Sequence, residues 1–427
     1  MLGIILGLIV LIALAYRGWS IIWVAPVAAM IVALTNNVDM LGAYTVSYME
    51  GLVGFVRNWF PMFMLGAIFG KLMESTGMAK SIAGRLSALI GKKRAILAIV
   101  VSCAVLTYGG ISLFVVVFAV YPIAKGLFRE ANISSRIMPA TIALGAFTFT
   151  MTALPGTPQI QNLIPIDYFH TTATAAPIMG ITASVIMAVL GYIYLIYRQK
   201  KLTESGEIFS GSEEETESDD TEKLPNVLLS VLPLAVVIFT FNVLNFHIIT
   251  ALAAAIILIL AINYREFRRF PTAISTGAKD SLMAIMNTSA AVGFGAVVMS
   301  VPAFTELTDI LSAIPGSPLI SLAVTVNLLA GATGSASGGL SISLTAIGEQ
   351  YYMIALQQGI SPEALHRVAS ISSGGLDLLP HNGAILTLLT VTGLSHKESY
   401  KDISIATIAI PLIALAVVIA LASLGIY

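Results

Sequence analysis

Charge is scarce in this 427-residue chain. Only 11 % of its residues are charged, where a soluble domain carries about 25 % because its surface must be wetted. With 57 % apolar residues and a mean hydropathy of +0.90, length is better counted in membrane crossings of about 20 residues than in soluble domains. Cysteine is nearly absent: Cys103 stands alone, which forbids an internal disulfide and leaves no partners for a zinc site. No basic tract or aromatic–basic interleaving points to nucleic acid. There is no Walker loop and no HExxH pair, and the Gly-rich run at 334–339 lacks the strand context of a dinucleotide site. Basic residues are also missing ahead of the first apolar stretch, Leu2–Ala15, while Arg17 follows it. That is the reverse of a secretory signal and reads as a first span with its N-terminus outside. Without a nucleotide site or cofactor motif, an enzyme is not expected, and any transport would draw on an ion gradient.

What is present is a long series of apolar segments, at about 2–16, 20–35, 59–74, 94–108, 111–128, 137–154 and 174–197, then 226–243, 246–262, 280–300, 318–333, 339–357, 365–378 and 403–426. Matching features recur at nearly constant spacing. Gly51 and Gly277 differ by 226, Gly110 and Gly339 by 229, and the pairs Leu154-Pro155 and Leu379-Pro380 by 225. GGISLFVVVF at 109–118 echoes GGLSISLTAI at 338–347, and ALPGTPQIQNLI at 153–164 echoes LLPHNGAILTLL at 378–389. Several features in one register indicate an internal repeat: 1–197 and 226–427, joined by a linker at 198–225. Nine of the 23 acids lie in the linker's neighbourhood, from Glu204 to Glu222; this stretch cannot build a core and reads as a solvated cytoplasmic tether.

Positive-inside counting orients the halves. Arg17, Lys92-Lys93-Arg94, the group Lys125, Arg129 and Arg136, and Arg198 to Lys201 belong on the cytoplasmic side, as do Arg265, Arg268, Arg269, Lys397 and Lys401. Seven crossings per half satisfy this and force the repeats to be antiparallel. The expected fold is therefore an all-α polytopic membrane protein of two inverted-topology repeats with broken helices, an arrangement of secondary transporters whose sites lie at the repeat interface. Both termini are expected outside and the linker inside. Single cysteines at Ser212 and Tyr427 in a Cys103→Ser background test this: an impermeant reagent on intact cells should label Tyr427→Cys only, and labelling of Ser212→Cys would sink the count.

Lipid tolerates non-helical backbone only where protein or water satisfies it, so polar, Gly- and Pro-rich interruptions mark the candidate site. The first pair is 107–112, with Gly110 and Ser112, and 331–341, with Ser335, Ser337, Gly339 and Ser341. Glycines let the chain unwind and a ligand approach, and hydroxyls both donate and accept; the alternative is close helix packing through small residues. The second pair is 155–162, with Thr157, Gln159 and Asn162, and 377–383, with Asp377, His381 and Asn382. Proline breaks the helices there, and the half-helices that follow would offer N–H groups to an anion. These neutral groups, with a protonated His381 as the one cation, suit a hydroxylated or short-chain monocarboxylate; a second carboxylate would be buried unpaired. An ionised Asp377 at this depth costs about 2.5–3.5 kcal/mol, so it is neutral, paired or wetted: a proton-coupling group, with His381 able to share the proton, or a fixed hydrogen-bond partner. Arg136 and Glu349 read as structural, and Lys71 with Glu74 as a surface pair.

At these breaks the chain resembles the gluconate permease (GntP) family of the ion transporter superfamily. The residues that carry the likeness are GAIFGKLMESTGMAKSIA at 66–83, ALPGTPQIQNLIP at 153–165, GGLDLLPHNGAILTLL at 374–389 and GLSHKESYKDI at 393–403, with motifs closest to a branch associated with 3-hydroxybutyrate or unassigned carboxylates. The resemblance implies proton-coupled symport of a small hydroxy-monocarboxylate, such as gluconate or 3-hydroxybutyrate, across a bacterial inner membrane. It also implies a homodimer with an elevator-like motion, placing a scaffold in about 1–93 and 226–316 and a site-bearing transport part in about 94–197 and 317–427. Sodium coupling is the alternative within this class, and an anion channel the alternative outside it.

Overall fold

The computed structural model describes residues 2–17, 19–209, 224–304, 318–380 and 382–427. Among them every regular element is helical. The first half runs α1 (Leu2–Tyr16), α2 (Ile21–Thr35), α3 (Met40–Ser75), α4 (Met78–Ile90), α5 (Ala95–Tyr108), α6 (Leu113–Glu130), α7 (Met138–Ala146), α8 (Ile160–Phe169) and α9 (Pro177–Glu204). The second runs α10 (Val227–Asn242), α11 (Ile248–Ile262), α12 (Phe270–Ser300), α13 (Pro318–Thr333), α14 (Ala336–Gln358), α15 (Pro362–Ser373), α16 (Gly383–Thr392) and α17 (His396–Ser423). The helices at 40–75, 177–204, 264–300 and 396–423 are long and apolar enough to cross a membrane.

Two elements exceed the apolar text. α3 begins near residue 40 rather than 59, continuing through Glu50, Arg57 and Asn58, because a helix satisfies its own backbone whatever its side chains. α4 is amphipathic: Lys80 and Arg85 interrupt its text, while Met78, Ala79, Ile82 and Ala83 are buried. Lys71 and Glu74 pair at 3.0 Å, as their spacing implies.

The repeat glycines show how the halves meet. A Cβ on Gly51 of α3 would lie 3.1 Å from Val292 O and 3.2 Å from Gly293 Cα on α12, and one on Gly277 of α12 would lie 2.8 Å from Ile68 Cα and 3.0 Å from Ala67 O on α3. Position rises along α3 as it falls along α12, so the two helices are antiparallel. A shift of 226 carries Gly51 to Gly277 and Ala67 to Gly293, so one contact becomes the other with its partners exchanged. That reciprocity is the mark of a two-fold axis, and glycine is required because backbones touch. The last helices repeat the pattern: Ile178 N donates to Tyr427 O at 3.2 Å, while Arg198 Nε donates to Asp402 Oδ1 at 2.5 Å and Tyr194 Oη donates to the same oxygen at 2.5 Å. α9 and α17 are thus also antiparallel, held at one end by a partly buried ion pair.

Candidate functional site

Each half brings its two breaks together. In the first, Gly109 to Ser112 separates α5 from α6, with Gly110 at φ 92°, a left-handed conformation that favours glycine. The second break runs from Ala153 to Gln159, ahead of α8. Gln159 Nε2 donates to Thr107 O at 2.7 Å, and Tyr108 Oη donates to Pro155 O at 3.0 Å. A Cβ on Gly110 would lie 3.4 Å from Pro158. Thr157 is fully buried and donates to Thr150 O at 2.8 Å. Asn162 Nδ2 donates to Thr157 O at 2.9 Å and Ala173 O at 2.8 Å. Gly110, Thr157, Gln159 and Asn162 therefore form one cluster, beside which Ser112 starts α6 without capping it.

In the second half, Gly334 and Ser335 separate α13 from α14, and residues 374–382 separate α15 from α16. Asn382 Nδ2 joins the breaks, donating to Gly334 O at 2.9 Å and Asp377 O at 3.0 Å. Its Oδ1 accepts from Ala384 N at 2.6 Å and Ile385 N at 3.3 Å, so the start of α16 is already capped. The expectation of free N–H groups there is corrected: they survive at the start of α8, where Gln159 makes no side-chain cap. Ser335 caps α14 by accepting from Gly338 N at 3.1 Å, and Ser337 sits 3.3 Å from Thr288 Oγ1 of α12. A Cβ on Gly339 would lie 2.1 Å from Ala330 N, so this glycine lets α14 pack against α13. Ser341 is buried one turn beyond Ser337. Asp377 is 2 % exposed. His381 lies outside the described residues, as does 210–223 of the acidic linker.

What the sequence reading missed is α15, which leads into the second-half break yet binds the first-half loop. Arg367 is fully buried, and all five of its N–H groups are used. Nε donates to Ala175 O at 3.1 Å; Nη1 donates to Ala153 O at 3.2 Å and Asn162 Oδ1 at 2.9 Å; Nη2 donates to Ala175 O at 2.6 Å and Ala173 O at 3.4 Å. No carboxylate pairs with it among the described residues. Glu363 accepts from Ala176 N at 2.9 Å, and Ser370 donates to Thr152 O at 2.7 Å. His366 Nε2 lies 3.1 Å from Asn162 Oδ1, and its Nδ1 lies 2.6 Å from Thr171 Oγ1. Since Asn162 Nδ2 reaches two carbonyls, its Oδ1 is the acceptor and His366 Nε2 carries a proton. The available signal was the spacing 363, 366, 367, 370, a polar face at helical period inside apolar text. Arg136, expected to be structural, pairs with Glu207 at 2.7 Å and donates to Glu398 O at 3.1 Å.

Unmet polar capacity concentrates at these breaks. Among the described residues, nine buried side-chain atoms have no hydrogen-bond partner. Only Ser87 and Ser399 lie elsewhere. Thr107, Gln161 and Asn242 flank the first-half breaks, Asn242 through its contact with Gly156. Asn327, Ser341, Ser372 and Asp377 flank the second-half breaks. Such atoms cost about 1–3 kcal/mol each unless something satisfies them, and a bound ligand can.

Residues 6–269 match the family model described as citrate transporter, CitMHS. The chain belongs to the CitMHS family. Its relatives are transporters by name: it is 44 % identical, over 95 % of either chain, to the uncharacterized transporter YxjC of Bacillus subtilis (strain 168). A second relative, an uncharacterized transporter of Haemophilus influenzae, is 30 % identical over 45 % of this chain and 44 % of its own length. The fold is similar to the crystal structure of the Alcanivorax borkumensis YdaH transporter, described as having an unusual topology, with TM-score 0.57, 16 % identity and 88 % of each chain covered. That likeness is one of fold. This CitMHS member is a membrane transporter.

Proposed function

We propose that this CitMHS protein is a proton-coupled symporter of a small hydroxy-monocarboxylate, such as 3-hydroxybutyrate or gluconate, working by alternating access in a bacterial inner membrane. The observation that carries it is the gathering of unsatisfied buried polar atoms at the two break clusters. The uncapped start of α8 can hold one carboxylate, while hydroxyls and amides suit substrate hydroxyls. Arg367 adds buried positive charge but has no donor left for a second carboxylate. The likeness to gluconate permeases rests on the four quoted motifs and points the same way, as do the scaffold-and-transport division and the homodimer it implies. In the elevator reading, 94–197 and 317–427 move together, and the α15 hydrogen bonds support that by tying the two halves' breaks to each other.

Citrate, named in the family description, is the rival substrate, and sodium the rival ion. Competition assays in proteoliposomes decide between substrates. 3-Hydroxybutyrate or gluconate should outcompete citrate and succinate at matched ionisation; the opposite order refutes the monocarboxylate reading. Saturable, gradient-driven accumulation should also be seen, which a channel would not give.

A further inference from the structure

Two of the orphaned atoms lie in or against one loop, 374–382. Asn327, 6 % exposed on α13, donates through Nδ2 to Ala323 O at 2.9 Å, while its Oδ1 has no partner. That oxygen lies against Gly375, where a Cβ would come within 1.8 Å of it. Asp377, two residues on and at most about 7 Å of chain away, also buries an Oδ1 without a partner. An amide oxygen and a carboxylate oxygen both accept only, so whatever satisfies them must donate or be a cation.

We infer that Asn327 is the positioning residue for the transported proton: protonated Asp377 donates to Asn327 Oδ1, and loss of that proton leaves both buried acceptors without a donor. This rests on the proton-symport reading above and adds the second member of the proton site. A metal cation needs a shell of several oxygens, and five carbonyls at and beside the loop already accept hydrogen bonds. Gly334 O and Asp377 O accept from Asn382, Leu378 O accepts from Tyr400 at 3.1 Å, Leu379 O accepts from Asn382 N at 2.9 Å, and Pro380 O is bonded by His396 at 2.9 Å. A proton needs only two oxygens. Of the titratable groups on the described elements meeting this loop, His396 and Tyr400 of α17 are occupied by those carbonyls, Asp402 by Arg198 and Tyr194, and Glu398 by Ser395, while Lys397 and Lys401 are exposed; Glu363, His366 and Arg367 of α15 are occupied by the first-half loop. α13 brings no charged side chain.

The test uses the whole purified protein and two readouts, one independent of transport. Infrared difference spectra across a pH series should show a titrating carboxyl band that Asp377→Asn removes and that Asn327→Leu displaces, while Asn327→Asp adds a second band. In proteoliposomes, Asn327→Leu should move the pH midpoint of proton-driven uptake downward by about one unit, roughly tenfold in proton affinity, because the protonated form loses its acceptor. A carboxyl band indifferent to Asn327→Leu overturns the inference even if uptake is proton-driven. A displaced band upholds the pair even if uptake is not. Sodium titrated against choline should leave the wild-type unfolding temperature unchanged; sodium-dependent stabilisation that disappears in Asp377→Asn overturns the inference in favour of a metal ion.

Discussion

Arg367→Ala should destabilise the protein more than any other single change at the site. The substitution empties a fully buried position and strips the donors from Ala153 O and Ala175 O. Ala173 O keeps Gly156 N and Asn162 Nδ2, and Asn162 Oδ1 keeps His366, so the damage falls on the two ends of the segment around α8. Leaving two buried carbonyls without donors costs about 1–3 kcal/mol each, and the cavity left by the side chain adds to that. Lysine restores the charge but not the planar fork of five donors, so Arg367→Lys should fall between alanine and wild type. Thermal unfolding in detergent, with gel filtration to check monodispersity, measures the series. If Arg367→Ala unfolds at the wild-type temperature, the guanidinium does not hold the first-half loop.

Loss of Arg367 should also weaken the tie between the halves. The acceptors it binds lie 192 to 214 residues upstream, and the same helix continues into Gly374, whose position faces Thr152 of the first half. A motion that carried one break without the other would have to part all of these hydrogen bonds together. The α15 contacts therefore favour the two breaks moving as one body.

Much of this architecture was legible because it is written as repetition. Gly51 and Gly277 stood out by register, and their reason is physical: each is where one long helix meets the other's backbone. The Leu-Pro pairs located the second break of each half, because proline removes a donor and leaves polar backbone that membrane cannot satisfy. Asn162 and Asn382 were legible as polar groups at those breaks, but not their shared habit of holding a carbonyl five residues back. Arg367 was hidden for a different reason. Its helix read as one more apolar segment, at about 365–378, and the carbonyls that accept from it carry no side-chain signal at all. Asn327 was equally silent: one amide in an apolar helix means little until Gly375 is seen against it.

Asp377→Asn should separate proton coupling from substrate recognition. Asparagine keeps the shape of the side chain and one oxygen but cannot release a proton. Asp377 is 2 % exposed, and its backbone oxygen, not its side chain, holds Asn382, so the tie between the second-half breaks survives the change. Proton-driven accumulation should fall to background, while exchange of labelled for unlabelled substrate across the same membrane continues. The free energy at stake is that of ionising a carboxyl in a dry site, about 2.5–3.5 kcal/mol on insertion scales. That is enough to make its protonation depend on whether water, substrate or protein faces it. Asn382→Ala gives the contrasting outcome: it leaves the carboxyl but unties Gly334 from Asp377, and it should weaken exchange and accumulation together, by about 1–3 kcal/mol in binding. Full proton-driven accumulation by Asp377→Asn would reduce Asp377 to a structural partner and move the coupling group elsewhere, with His366, bonded at both ring nitrogens between Thr171 and Asn162, the next to be tested.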